Sequence, residues 1–315
     1  MKHCYKLLCA TSHLAKLLAL QCRLLKGEFL RYWLFCFCFI SFVTAADEAS
    51  ACADAELCAN EQQLYLNLAL GLGQRSNPLY GGEKLPLILL PDIYYYSDNW
   101  FFDNGKLGTS WELDQAWTLS LVGQLNAEKG YFQKWFGGSA FQFNSGFNPS
   151  FSSMLSTERV GPQQASIHEI SKRPTAFDIG LQLNWFAKNW QMQAITWQDA
   201  SNTYQGQHAS IRLTRSWESS LGNWQLATGL LWKSAKLIDT YYGIDNNEPF
   251  YLPRYNGKPS WQPELRLNWQ KPLTERVALL AFFRYLHLDD AMTDSPLVRS
   301  NNVTTWFFGV SYRLY

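Results

Sequence analysis

The sequence predicts an all-β fold, an antiparallel transmembrane β-barrel of about twelve strands with ten as the alternative, and three observations predict it. Only 17% of the 315 residues are charged while 16% are aromatic, against roughly 25% charged in ordinary soluble domains. That aromatic load excludes disorder. No run of eighteen or more apolar residues occurs, which argues against a helical membrane protein, since a spanning helix needs about 20. Finally, segments about ten residues long with alternating hydrophobicity, separated by polar turns, fill the chain after Glu61, and period two is the strand signal. The formal net charge of +1 gives no electrostatic case for nucleic acid.

Residues 1–46 read as a signal peptide. Lys2, Lys6, Lys16, Arg23, Lys26 and Arg31 stand against one acid, Glu28, and precede the apolar block Tyr32 to Val43 and the small residues Thr44, Ala45 and Ala46. The order basic, apolar, small is that of an export signal, and the block is too short to span a bilayer. The mature chain is expected to begin at Ala46 or Asp47. A non-AUG start near Leu24 or Leu25 would leave a basic segment of ordinary length. Removing these residues leaves 21 basic and 25 acidic residues, a mature net charge of -4.

Residues 47–61 form a polar tail, expected in the periplasm. Cys52 and Cys58 are the only cysteines past the cleavage site, and an exported compartment permits them to pair. A disulfide closing this small loop is expected over free thiols; metal binding would need more ligands than are nearby.

The barrel is placed at 62–315. Leu64, Leu66, Leu68, Leu70 and Leu72 alternate with Tyr65, Asn67, Ala69, Gly71 and Gly73 in the first strand. Strands follow at Leu85 to Tyr96, Trp100 to Trp111, Trp117 to Ala127, Trp135 to Phe147 and Thr175 to Ala187, the fifth alternating poorly. Trp190 to Trp197, Ala209 to Trp217, Trp224 to Ser234, Trp261 to Gln270, Val277 to His287 and Asn302 to Tyr315 complete the set. Trp224 and Trp232, like Trp261 and Trp269, bound an apolar stripe at both ends. Eight residues at about 3.3 Å rise, tilted about 40°, cover roughly 20 Å, close to the ~25 Å band between the aromatic girdles of outer-membrane barrels.

With both termini periplasmic, the gaps Arg75 to Lys84, Glu112 to Ala116, Asn148 to Pro174, Gln198 to His208, Ala235 to Ser260 and Leu288 to Asn301 become outer loops, and the remaining gaps are mostly tight turns. Short turns inside and long loops outside is the bacterial pattern. The ending Trp306 to Tyr315 resembles the terminal signal of outer-membrane proteins. The implied location is the outer membrane of a Gram-negative cell, in contact with its lipid and lipopolysaccharide.

Arg212, Glu264, Arg266 and Arg284, with Asp178, fall on the inward face of their strands; charges of both signs there can line an aqueous pore or pair to close it. Asp245 to Glu248 concentrate oxygen ligands that could hold Ca²⁺, but lack the spacing of an EF-hand, and the solvated-loop reading is preferred. No G-x-S-x-G occurs, and His168, His208 and His287 have no serine and acid at a diagnostic spacing. No enzymatic activity, metal or cofactor is expected.

Several runs together resemble the MipA/OmpV family, whose first name abbreviates MltA-interacting protein. They are Leu70 to Leu79 with Asn77 and Pro78, Leu85 to Asp92 with Pro91, and Trp100 to Gly108 with Asp103, Asn104 and Gly105. Tyr241-Tyr242-Gly243 and Asp294-Ser295-Pro296-Leu297-Val298 follow in order. The resemblance covers Leu64 to Tyr315 and is weakest at Gly130 to Lys172. It implies an outer-membrane barrel that scaffolds peptidoglycan synthesis and cleavage by joining a lytic murein transglycosylase to a penicillin-binding protein. A small-solute channel or porin and a surface adhesin are the alternatives. The resemblance assigns no role to the motif residues.

Overall fold

The computed structural model describes residues 62–97, 99–132 and 164–314. The signal segment, the tail with Cys52 and Cys58, and the expected strand Trp135 to Phe147 lie outside the described residues. Twelve strands close into one antiparallel barrel. In chain order they are β1 Gln63–Arg75, β2 Leu85–Tyr96, β3 Phe101–Asp103, β4 Lys106–Glu112, β5 Trp117–Leu125 and β6 Phe177–Ala187. The second half is β7 Trp190–Asp199, β8 Gln207–Ser219, β9 Gly222–Lys233, β10 Ser260–Pro272, β11 Val277–His287 and β12 Asn302–Arg313. Each strand pairs with its chain neighbours, and the seam closes where β1 meets β12 from Asn67↔Arg313 to Arg75↔Thr305.

The number of strands matches the expectation, but one of the assignments does not. Trp100 to Trp111 is a hairpin rather than one strand, because Asn104 and Gly105 adopt positive φ of 46° and 87° between the partners Asp103 and Lys106. An Asn-Gly pair is the preferred centre of a two-residue hairpin turn, and a reading that followed only alternation passes over it. β5 pairs directly with β6, from Trp117↔Trp185 to Leu125↔Phe177. One consequence is that Glu112 to Ala116 belongs to the end with the short turns, not to the end with the long loops.

Which face is inside follows from exposure. On β10, Trp261 and Leu265 are 53% and 45% exposed, whereas Gln262 and Glu264 are 0% and 4%. A water-soluble barrel would show the reverse; apolar outside and polar inside is the membrane arrangement. The aromatic belts form as the sequence implies. Trp217 stacks on Trp224 at 6.3 Å and Trp224 meets Trp269 at 6.1 Å near the turns, while Trp232 and Trp261 meet at 6.3 Å at the far ends of the same strands.

The long connections all leave the same end and pack on one another. Helix α1, Ala235–Tyr242, starts where the Ser234 hydroxyl accepts from the Leu237 N–H, and the one-turn helix α2, Asp290–Thr293, lies between β11 and β12. Around them Leu79, Leu237, Ile238, Tyr241, Tyr242, Ile244 and Leu297 are all within 1% of full burial. These side chains have left water for an apolar cluster, and each contributes roughly 1.5–3 kcal/mol to holding the loops down. The loops therefore form a packed cap over the barrel.

Candidate functional site

Beneath the cap the inward faces of the strands bring the predicted lumen charges together. Glu264 on β10 is nearly fully buried and accepts from three guanidinium groups. Arg212 Nε lies 3.1 Å from Oε1, and Arg266 Nη2 and Arg284 Nη2 lie 3.1 and 2.9 Å from Oε2. The register explains the meeting. Arg266 is paired with Arg284 across β10 and β11, while Gly229 stands opposite both Glu264 and Arg212. A Cβ at Gly229 would sit 3.0 Å from the Ile211 carbonyl and 3.1 Å from Glu264 Cγ, so the glycine leaves the space through which Arg212 reaches Glu264. This girdle lines the lumen along the adjacent strands β8 to β11. Arg212 also donates to Gln193 at 3.2 Å, and Lys106 of the β3–β4 hairpin reaches Gln182 at 3.2 Å.

Two cavities flank the girdle. The one toward the cap has a volume of about 400 Å³ and is lined by Arg75, Lys106, Arg212, Lys233, Arg266 and Arg284 against the acids Asp103 and Glu128. The one toward the turns is about 920 Å³ and carries Asp92, Glu218 and Glu275 with Arg276 and Arg313. Asn104, at the hairpin tip, lines both. It donates to Asp92 at 2.7 Å, accepts from the Ile93 N–H at 3.0 Å and donates its own N–H to the Ile93 carbonyl at 2.9 Å, so the short hairpin is pinned to β2. Pro91 pairs with Leu68 of β1, and on its other side it lies outside the Tyr94–Tyr96 pairing with β3, so its missing N–H interrupts no described pairing there.

The family-motif residues fall into two places. Pro91, Asp103, Asn104 and Gly105 build the hairpin tip, and the others build the cap. The Asn77 amide donates to the Tyr131 carbonyl at 2.8 Å, and the Pro78 carbonyl accepts from the Arg299 N–H at 2.7 Å. Ser295 Oγ donates to the Tyr242 carbonyl at 2.7 Å, the Pro296 carbonyl accepts from Ala165, and Asp294 faces Lys258 at 3.6 Å. Arg173 ties the cap laterally: Nε and Nη2 donate to the carbonyls of Tyr241 and Gly243 at 3.0 and 2.6 Å, and Nη1 donates to Glu248 at 3.0 Å. Glu248 is thereby turned away from Asp245, which instead accepts from Asn247 at 2.8 Å.

The floor of the cap is a buried ion pair that the sequence did not single out. Glu128 Oε1 lies 2.6 Å from Lys233 Nζ, and Tyr242 donates to Oε2 at 2.5 Å. Burial pushes the Glu128 carboxyl up, but Lys233 and the two hydrogen bonds outweigh it and hold the group below the usual carboxylate value. Lys233 follows the inward parity of β9 and could have been read from alternation; Glu128, in the 3₁₀ turn Glu128–Phe132, carries no periodic signal. Nearby, Asp178 accepts from His208 at 2.9 Å, Tyr204 at 2.6 Å and Asn126 at 2.7 Å. Among the described residues no hydrogen bond joins a serine hydroxyl to a histidine ring, and no group of three metal-ligating side chains is found.

The family model described as "MltA-interacting protein MipA" matches residues 70–314. The chain belongs to the MipA family. Two relatives from Escherichia coli K12 agree. The outer membrane protein YiaT is 35% identical over 89 residues, 28% of this chain and 36% of the relative. A MltA-interacting protein is 30% identical over 87 residues, 27% of this chain and 35% of the relative. The matched stretch spans about a third of the length of these curated relatives. The NanC porin has a similar barrel, at a TM-score of 0.40 and 12% identity over 79% of this chain and 100% of that one. This member of the MipA family is an outer-membrane β-barrel.

Proposed function

We propose that this barrel is a non-enzymatic docking protein of the outer membrane that holds peptidoglycan enzymes, a lytic murein transglycosylase and a penicillin-binding protein, at its turn end. The observation that carries the reading is the cap. Packed loops over a girdled lumen suit a barrel that works by contact better than one that conducts freely. The cap faces outward in this reading, so the turn end and both termini face the periplasm, where those enzymes work. Three of the turns there present a leucine: Leu113, Leu221 and Leu273 are 59%, 64% and 53% exposed. The relative named as MltA-interacting supports a transglycosylase as partner.

Crosslinking in intact cells, followed by capture of the barrel, should enrich both enzymes over an unrelated barrel. Replacing the three leucines with serine should abolish enrichment while the barrel stays heat-modifiable on gels. No enrichment of either enzyme would end the reading. A second reading, a gated channel for small anions, is favoured by the cationic chamber alone.

A further inference from the structure

We infer that the chamber between cap and girdle is a binding site for one small polyanion carrying carboxylate or phosphate groups. This goes beyond the docking role and does not depend on it. The chamber's 400 Å³ lies within the roughly 300–1,000 Å³ of small-molecule sites. Six cationic side chains and His208 line it against Asp103 and Glu128, with Glu264 and Asp178 adjoining, an excess of positive charge in a confined space. Charges held away from bulk water are costly unless paired, and here four of the six share two carboxylates, three on Glu264 and one on Glu128, which leaves positive charge in surplus.

Donors are in surplus as well as charge. Each guanidinium offers about five N–H groups in a fixed fork, so the three around Glu264 carry far more donors than its two oxygens accept. The Nε atoms of Arg75 and Arg266 are shut off from solvent and have no hydrogen-bond partner. Planar forks of this kind match carboxylate and phosphate oxygens two at a time. Access is from the turn end, past Asn104, where the 920 Å³ vestibule adjoins the chamber. The vestibule carries three acids against two bases, so the potential changes sign at the girdle and a polyanion gains most by passing it.

The test uses the refolded mature chain in detergent, titrated calorimetrically with citrate and separately with pyrophosphate at constant ionic strength, glucose serving as the uncharged control. At least one of the two anions should bind saturably, one per barrel, and raise the unfolding midpoint; which one does so distinguishes carboxylate from phosphate recognition. Arg266→Gln should weaken binding roughly tenfold and Asp103→Asn should tighten it roughly threefold, as expected for removing and adding net positive charge at close range. The second variant decides the matter if the first fails to fold. No saturable binding of either anion, or equal binding in parent and both variants, would overturn the site.

Discussion

Glu128 shows how much of the cap depends on single side chains. Its carboxyl is held below the ordinary value of 4.5 by Lys233 and Tyr242 against the opposing push of burial, and the Tyr242 hydroxyl is driven well above 10.0 by burial and by Glu128. Tyr242 therefore stays a donor at any physiological pH. A folded-state pKa below the unfolded one means that the pair's contribution is complete above the unfolded value and is lost as pH falls through the folded one. Protection of the α1 amides from hydrogen exchange, taken relative to their intrinsic rate at each pH, should thus hold from neutral pH down to about 5 and fall below about 4.5; unchanged protection at low pH would show that the pair does not hold the helix. Lys233→Met leaves a buried carboxylate without its cation and should cost about 3–5 kcal/mol in denaturant unfolding, whereas adding Glu128→Leu should recover most of it. Sequence alone could not join these two residues, because 105 positions separate them and only tertiary packing brings them to 2.6 Å. The girdle arginines were legible for the opposite reason: the strands alternate strictly, and each charge falls on the face opposite a row of leucines and tryptophans.

At the scale of elements, what the alternation conveyed and what it missed have one cause. Strands that separate lipid from lumen carry a strong contrast at period two, so β2 and β11 begin and end where the sequence placed them. The β3–β4 hairpin was hidden because a two-residue turn shifts parity without breaking the run: Lys106, rather than Gly105, shares a face with Asp103. Gly105→Val should strain this turn, where φ is 87°, by about 1–2 kcal/mol and free the hairpin tip from Asp92, measurable as faster exchange of the Asn104 and Ile93 amides. The barrel seam depends on a close approach instead. Gly71 faces Gly309 across β1 and β12, and a Cβ on Gly71 would lie 2.2 Å from the Phe308 carbonyl and 2.8 Å from the Phe307 ring. The ring covers both glycines, the way an aromatic commonly shields glycine in a sheet. Gly71→Leu should prevent closure, seen as loss of the heat-modifiable band, while Leu70→Val on the lipid face should not.

Taken as a whole, the molecule is layered along its axis: packed loops, a cationic chamber, an arginine girdle, and a wider vestibule of mixed charge. On the channel reading, this order makes the cap the main barrier to permeation and the chamber the selector behind it. The refolded chain should therefore be silent in planar bilayers at neutral pH. Removing the two ties that hold the cap, with Arg173→Ala and Glu128→Gln together, should release the loops and give discrete current steps. Under a salt gradient their reversal potential should show anion preference, because confined positive charge concentrates counter-ions, and Arg266→Gln added to the uncapped barrel should reduce that preference. Steps in the parent chain would mean that the cap leaves a path open, and an uncapped barrel that stays silent would place the barrier at the girdle, where Glu264 and its three arginines project inward from β8, β10 and β11.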